Sequence, residues 1–142
     1  MKIDWAIACA HTAQLADGRL CLIGIQMLDS PWVKGNLFYQ TSFMVRVLYK
    51  DTDPAAAHRL TLRLLSPAGK YQELGGAEVH RPRYSSFTYL EIVSALAIPE
   101  PGEYSVVFSV DGQHVEDAPS LSLKFVEVPD LADPRSGSDQ SA

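Results

Sequence analysis

The sequence predicts an all-β, antiparallel, immunoglobulin-like sandwich of about seven to nine strands. Three observations carry this. Apolar residues recur with period two along most of the chain. Gly, Pro, Asp and Asn interrupt them every 8–12 residues, as between short strands. A Tyr follows a Pro-Gly turn late in the chain, where an immunoglobulin-like sandwich carries its tyrosine corner.

Residues 3–14 read as a first strand. Asp17-Gly18 is a two-residue hairpin signal that pairs Ala16 with Arg19, Gln14 with Cys21 and Cys9 with Gln26. Residues 19–28 follow; both faces start out apolar, which predicts a central strand, and Gly24 marks a bulge or a close backbone approach. Residues 29–37 are turn-rich. Residues 38–50 form the longest strand, with Phe43, Val45, Val47 and Tyr49 on one face. In 58–66, Leu60, Leu62 and Leu64 point inward. Residues 71–74 and 77–81 read as a strand broken by Gly75-Gly76. Residues 87–96 alternate Phe87, Tyr89, Glu91 and Val93 with Thr88, Leu90, Ile92 and Ser94. Tyr104, Val106, Phe108 and Val110 share a face of 103–110. Asp111-Gly112 is a second hairpin, and Pro119 splits 113–128 into two pieces or marks an edge.

The 142 residues fit one domain, with 46% hydrophobic and 20% charged residues, a globular composition. The domain is expected over 1–128. Residues 129–142, rich in Pro, Asp, Ser and Gly, read as a disordered acidic tail: Asp130, Asp133 and Asp139 against Arg135 leave it at −2. The net charge of −5 argues against nucleic acid as a partner, because duplex binding needs a positive surface. The N-terminal apolar stretch, interrupted by Asp4, is too short and polar for a signal or a membrane span. No membrane partner is expected, and the default location is cytoplasmic. In the Asp17-Gly18 register Cys9 and Cys21 stand five rungs apart on opposite faces. That is roughly 16 Å, too far for a disulfide.

Taken in order, four segments resemble an uncharacterised bacterial family of small immunoglobulin-like sandwich proteins of unknown function. They are 1–9 (MKIDWAIAC), 17–24 (DGRLCLIG), 60–69 (LTLRLLSPAG) and 98–112 (IPEPGEYSVVFSVDG). Pro99 is an addition to the last pattern. The resemblance implies a compact β-sandwich and no particular activity.

The residues that could carry chemistry are scattered. His11, His58, His80 and His114 share no metal-type spacing. Cys9 and Cys21 lack an activating neighbour, and there is no nucleophile elbow or phosphate loop. Asp51 and Asp53 read as turn residues. The expectation is a protein with no catalytic residues, no metal and no cofactor.

Two segments could form an interaction surface. One runs from Trp32 to Phe38 and Tyr39, with Trp32 read as a lid over the core before an exposed anchor. The other, Arg81, Arg83 and Tyr84, reads as a solvated loop first and as a contact for an acidic partner second. The leading expectation is a non-enzymatic interaction or assembly module, with an unidentified protein partner or self-association through edge strands. The alternative is a small-molecule or carbohydrate binder using Trp32, Tyr39 and Tyr84. A metal-dependent hydrolase comes third.

Overall fold

The computed structural model describes residues 1–17, 19–25, 29–35, 38–50, 53 and 56–128. The segment expected to be a disordered tail lies outside the described residues. Among the described residues there are ten strands and no helix. They are β1 (Lys2–Gln14), β2 (Leu20–Ile25), β3 (Ser30–Trp32), β4 (Phe38–Leu48), β5 (His58–Leu65), β6 (Tyr71–Val79), β7 (Phe87–Ala97), β8 (Gly102–Val110), β9 (Gln113–His114) and β10 (Ser122–Glu127). The count exceeds the seven to nine expected because the turn-rich segment holds the three-residue β3 and because β9 is a two-residue strand.

One sheet has the order β2-β1-β4-β7 and the other β3-β10-β8-β5-β6, with β9 beside β8. All pairs are antiparallel except β3 with β10, which is parallel. The strict alternations of β4, β5 and β8 supply the inter-sheet core: Phe43, Val45 and Val47 pack with Leu60, Leu62, Leu64, Tyr104 and Phe108. Burying each such side chain is worth about 1.5–3 kcal/mol. Leu96, Ile98, Leu123 and Phe125 extend the core toward one pole. There the Tyr104 hydroxyl donates to Glu100 O at 2.7 Å, the backward bond that defines a tyrosine corner. Burial pushes the phenol pKa up.

Bulges set the phase of two strands. Between Ile3 and Trp5 the β1–β4 register shifts by one, so Ile3 and then Ala8 are buried in spite of opposite parity. In β6, Glu73 opposes Arg63 and Gly75 opposes Leu62, leaving Leu74 as the extra residue. A single insertion exchanges the faces, so Leu74 is buried at the bulge and Val79, of opposite parity, beyond it. The strand expected to break at Gly75-Gly76 is therefore one strand with two phases.

The first hairpin differs from expectation by one register step. Gln14 opposes Leu20, Ala13 opposes Cys21 and Cys9 opposes Ile25, and Leu15 N donates to Arg19 O at 2.7 Å. Gly18 lies outside the described residues. With Cys21 opposite Ala13, the cysteines share strand parity and are four rungs apart, not five; both are free thiols. The second hairpin turns at Asp111-Gly112 as expected, with Val110 opposite Gln113 and φ of 50° and 80° at the turn. The chain between β9 and β10, around Pro119, belongs to no strand.

β2 is an edge strand, contrary to the central position expected from its apolar faces. Beyond Cys9 the β1–β2 hairpin leaves β4 and leans over the outer face of the β4–β7 pair, where Thr12 donates to the Glu91 carboxylate. Leu20 lines the resulting groove beside Met44, while Ile23 and Ile25 are exposed. Two apolar faces thus served an overhanging arm and a solvent-facing surface, not two covered sides. Gly24 does make the close approach expected of it: a Cβ there would sit 3.0 Å from Ala10 Cβ.

Candidate functional site

The structure splits the residues singled out from sequence between the two ends of the sandwich. β4 carries Phe38 at one end and Leu48 at the other, ten residues on, or roughly 33 Å. At the Phe38 end, Trp32 is half-buried against the core and its indole N–H donates to Ile98 O at 2.8 Å. Tyr39 packs edge-on to Phe125, centroids 5.1 Å apart, and its hydroxyl accepts from Val33 N at 3.0 Å. Both rings are committed to the fold. Phe38 is 61% exposed.

At the far end, the half-buried Arg81 donates to Asp53 O at 2.9 Å. Tyr84 is 91% exposed, with the Arg83 guanidinium 5.5 Å from its ring centroid. This end also gathers a cleft of about 620 Å³ lined by Met1, Asp53, His58, Asp111, His114 and Asp117. Sequence spacing gave no hint that His58 and His114 would share a cavity, because the β8–β9 turn brings them together across more than fifty residues. His58 Nδ1 and Asp111 Oδ2 are 2.6 Å apart, and Asp111 Oδ1 accepts from Arg59 N at 2.9 Å. His58 beside Asp111, then the Arg59 amide, holds the Asp111 carboxyl below its ordinary pKa. Asp53 Oδ2 accepts from the N-terminal ammonium at 2.8 Å and from Lys50 N at 2.6 Å; in that order, these bonds lower its pKa. Each carboxylate therefore pins backbone at a turn. Among the described residues, no group of three or more His, Cys, Asp or Glu is placed to hold a metal ion. Cys9 is buried, and burial followed by the Glu91 charge raises its thiol pKa, the direction that suppresses thiolate.

The feature missed in the sequence is the outer face of the four-stranded sheet. The register pairs Phe38 with Ala97, Gln40 with Ala95, Ser42 with Val93, Met44 with Glu91, Arg46 with Tyr89 and Leu48 with Phe87. Phe87, Tyr89 and Val93 are exposed there. Trp5 tilts against Tyr89, centroids 5.7 Å apart. The Arg46 guanidinium lies 4.6 Å over the Phe87 ring, with its Nε 3.6 Å from Asp4 Oδ2. The hairpin arm and this face enclose a groove of about 840 Å³ lined by Thr12, Gln14, Arg19, Leu20, Met44, Phe87, Tyr89 and Glu91. The alternation of Phe87, Tyr89 and Val93 was visible in the sequence. Which face it occupied was not, because Leu90, Ile92 and Leu96 make the opposite face apolar too.

A two-sheet, all-β fold is the class that the strand order defines. Residues 4–121 match a family of unknown function (DUF6941), and the chain belongs to that family. No curated protein matches the chain.

Proposed function

We propose that this chain is a non-enzymatic, immunoglobulin-like interaction or assembly module of the bacterial cytoplasm. The inequality of the two sheets carries the reading. The solvent side of the β5–β8 sheet bears Arg59, Thr61, Arg63, Glu103 and Lys124 between inward-facing apolar residues. Its exposed Tyr71 is covered by the Arg63 guanidinium, 4.4 Å from the ring centroid, which leaves Val126 as the exposed large apolar residue of its described strands. The four-stranded sheet instead leaves Phe38, Phe87, Tyr89, Val93, Ile23 and Ile25 exposed. Antiparallel sheets facing water alternate apolar-in with polar-out, and apolar surface left outside that pattern marks a contact site. The strand order β1-β4-β7 against β10-β8-β5-β6 and the Tyr104 corner support the immunoglobulin-like assignment. Two unpaired thiols suit a reducing compartment.

Affinity capture of the intact chain from native lysate, with mass measurement by light scattering, tests this. The expected result is a stoichiometric complex weakened by Val93→Glu, or self-association of the chain. A strict monomer that captures nothing would overturn it.

The second reading, a small-molecule or carbohydrate ligand, draws on the groove beside Phe87 and Tyr89, where Thr12, Gln14 and Glu91 offer polar contacts. Arg46 already covers the Phe87 ring, and Trp32 and Tyr39 are engaged in packing, which leaves less aromatic face for a sugar. A thermal-shift screen over glycans and metabolites decides: stabilisation supports this reading, and none removes it.

A further inference from the structure

An unpaired sheet edge recruits another strand unless something blocks it. Among the described residues three outer strands are blocked. β3 is three residues long with Pro31 at its centre. β6 and β7 lie side by side and bond to each other through side chains. The Gln72 amide donates to Ala97 O at 3.0 Å and its carbonyl accepts from Ala97 N at 2.8 Å; the Ser94 hydroxyl donates to Leu74 O. Among the described residues β2 has no such guard. Its sequence, LCLIGI, contains no charge and no proline, and Ile23 and Ile25 are 50% and 43% exposed.

The register fixes which amides face outward. Leu15 bonds Arg19, and two and four residues on, Ala13 opposes Cys21 and His11 opposes Ile23. Bonded and non-bonded pairs alternate in an antiparallel ladder. Leu20 and Leu22 therefore turn their N–H and C=O groups away from β1. Gly24, with φ 68°, takes the chain out of line and ends the straight edge.

We propose that this edge pairs with the same edge of a second copy, antiparallel about a two-fold axis through Cys21. The proposal rests on the assembly reading above and names its partner. In this register Leu20 of each chain exchanges both backbone bonds with Leu22 of the other, four bonds in all, and the pairing stops short of the Gly24 kink. The two Cys21 residues stand opposite each other in a non-bonded pair, with Cα atoms about 4.5 Å apart. An uncharged strand meets its own copy without opposing like charges, and a two-fold makes the contact self-complementary and closed. Two four-stranded sheets become one of eight strands. A single strand pair buries less than the ~1,200 Å² of a stable interface, so the dimer is weak and concentration-dependent.

Sedimentation velocity on the full chain, from micromolar to near-millimolar, should show monomer passing to dimer. Leu22→Pro deletes one outward N–H and spares the β1–β2 bonds, because Leu22 and Thr12 form a non-bonded pair. It should stay folded and monomeric at every concentration, with a modest fall in thermal midpoint because Leu22 is half-buried. If that variant fails to fold, Leu22→Lys sets like charges at the edge and serves in its place. Mild oxidation with copper–phenanthroline should yield a disulfide dimer that is lost in Cys21→Ser and kept in Cys9→Ser. A wild-type chain monomeric throughout, or a dimer that survives both Leu22 substitutions, overturns the pairing. A monomer that still forms a stoichiometric complex with another protein overturns self-pairing alone and leaves the broader reading standing.

Discussion

The β6–β7 side of the sandwich and the β2 edge face the same physical problem and meet it differently. Both end a sheet, and both present backbone groups that water or another strand must satisfy. Along β6 and β7 the gap is bridged by Gln72, Ser94 and the approach of Gly75 to Ile92, where a Cβ would come within 3.1 Å of Cγ2. Polar side chains there substitute for a ladder. β2 has only isoleucine, leucine, cysteine and glycine to offer, and none of these carries a strong hydrogen-bonding side chain. Closure on the β6–β7 side thus depends on a few polar side chains, which β2 lacks among the described residues.

The largest break in that comparison should come from Gly76→Ala. A Cβ at 76 would lie 2.7 Å from Leu60 O and 2.9 Å from Thr61 Cγ2, so β6 must move off β5. The expected cost is about 2–3 kcal/mol, read by chemical denaturation. Gln72→Ala comes next. It leaves the Ala97 N–H and C=O without their bonds at about 1–2 kcal/mol. It should also bare the β7 edge and raise the apparent mass in light scattering, making the guarded side behave like β2.

Asp111 gives a smaller, pH-dependent effect. Its pKa is lowered in the fold, first by His58 and then by the Arg59 amide. Its contribution is therefore present above the ordinary value of 3.8 and is lost as pH falls through the depressed one. Asp111→Asn should lower the thermal midpoint near neutrality, with the difference vanishing in strong acid. A difference that persists in acid would assign Asp111 a role other than the carboxylate contacts. The smallest effect is that of Leu22→Lys on monomer stability. Leu22 is half-buried, so the cost should stay at about 1 kcal/mol, although the substitution acts strongly on association.

Much of this framework was legible in the residues. The alternation in β4, β5 and β8 located the core, Asp111-Gly112 its hairpin, and Tyr104 the corner, because each depends on local pattern alone. Three things were not. β6 looked like two strands because Leu74 inserts a residue and reverses the faces. β2 looked central because apolar residues on both sides can mean two covered faces or, as here, an overhanging arm and an open edge. The candidate contact face escaped because Phe87, Tyr89 and Val93 lie on a strand whose other face is equally apolar, and only sheet order tells which side meets water. Trp32 and Tyr39 stood out as aromatics in or beside a turn-rich segment, yet Trp32 bonds Ile98 and Tyr39 packs on Phe125 across the fold, which no local pattern reveals.

Amide hydrogen exchange at Leu22 and Ala97, followed in one sample over a concentration series, tests the contrast between the two edges most directly. The Ala97 amide should be protected at every concentration, and the Leu22 amide should exchange quickly when dilute and slow as the chain is concentrated. A Leu22 amide already protected in dilute solution, or equally unprotected when concentrated, would contradict that contrast.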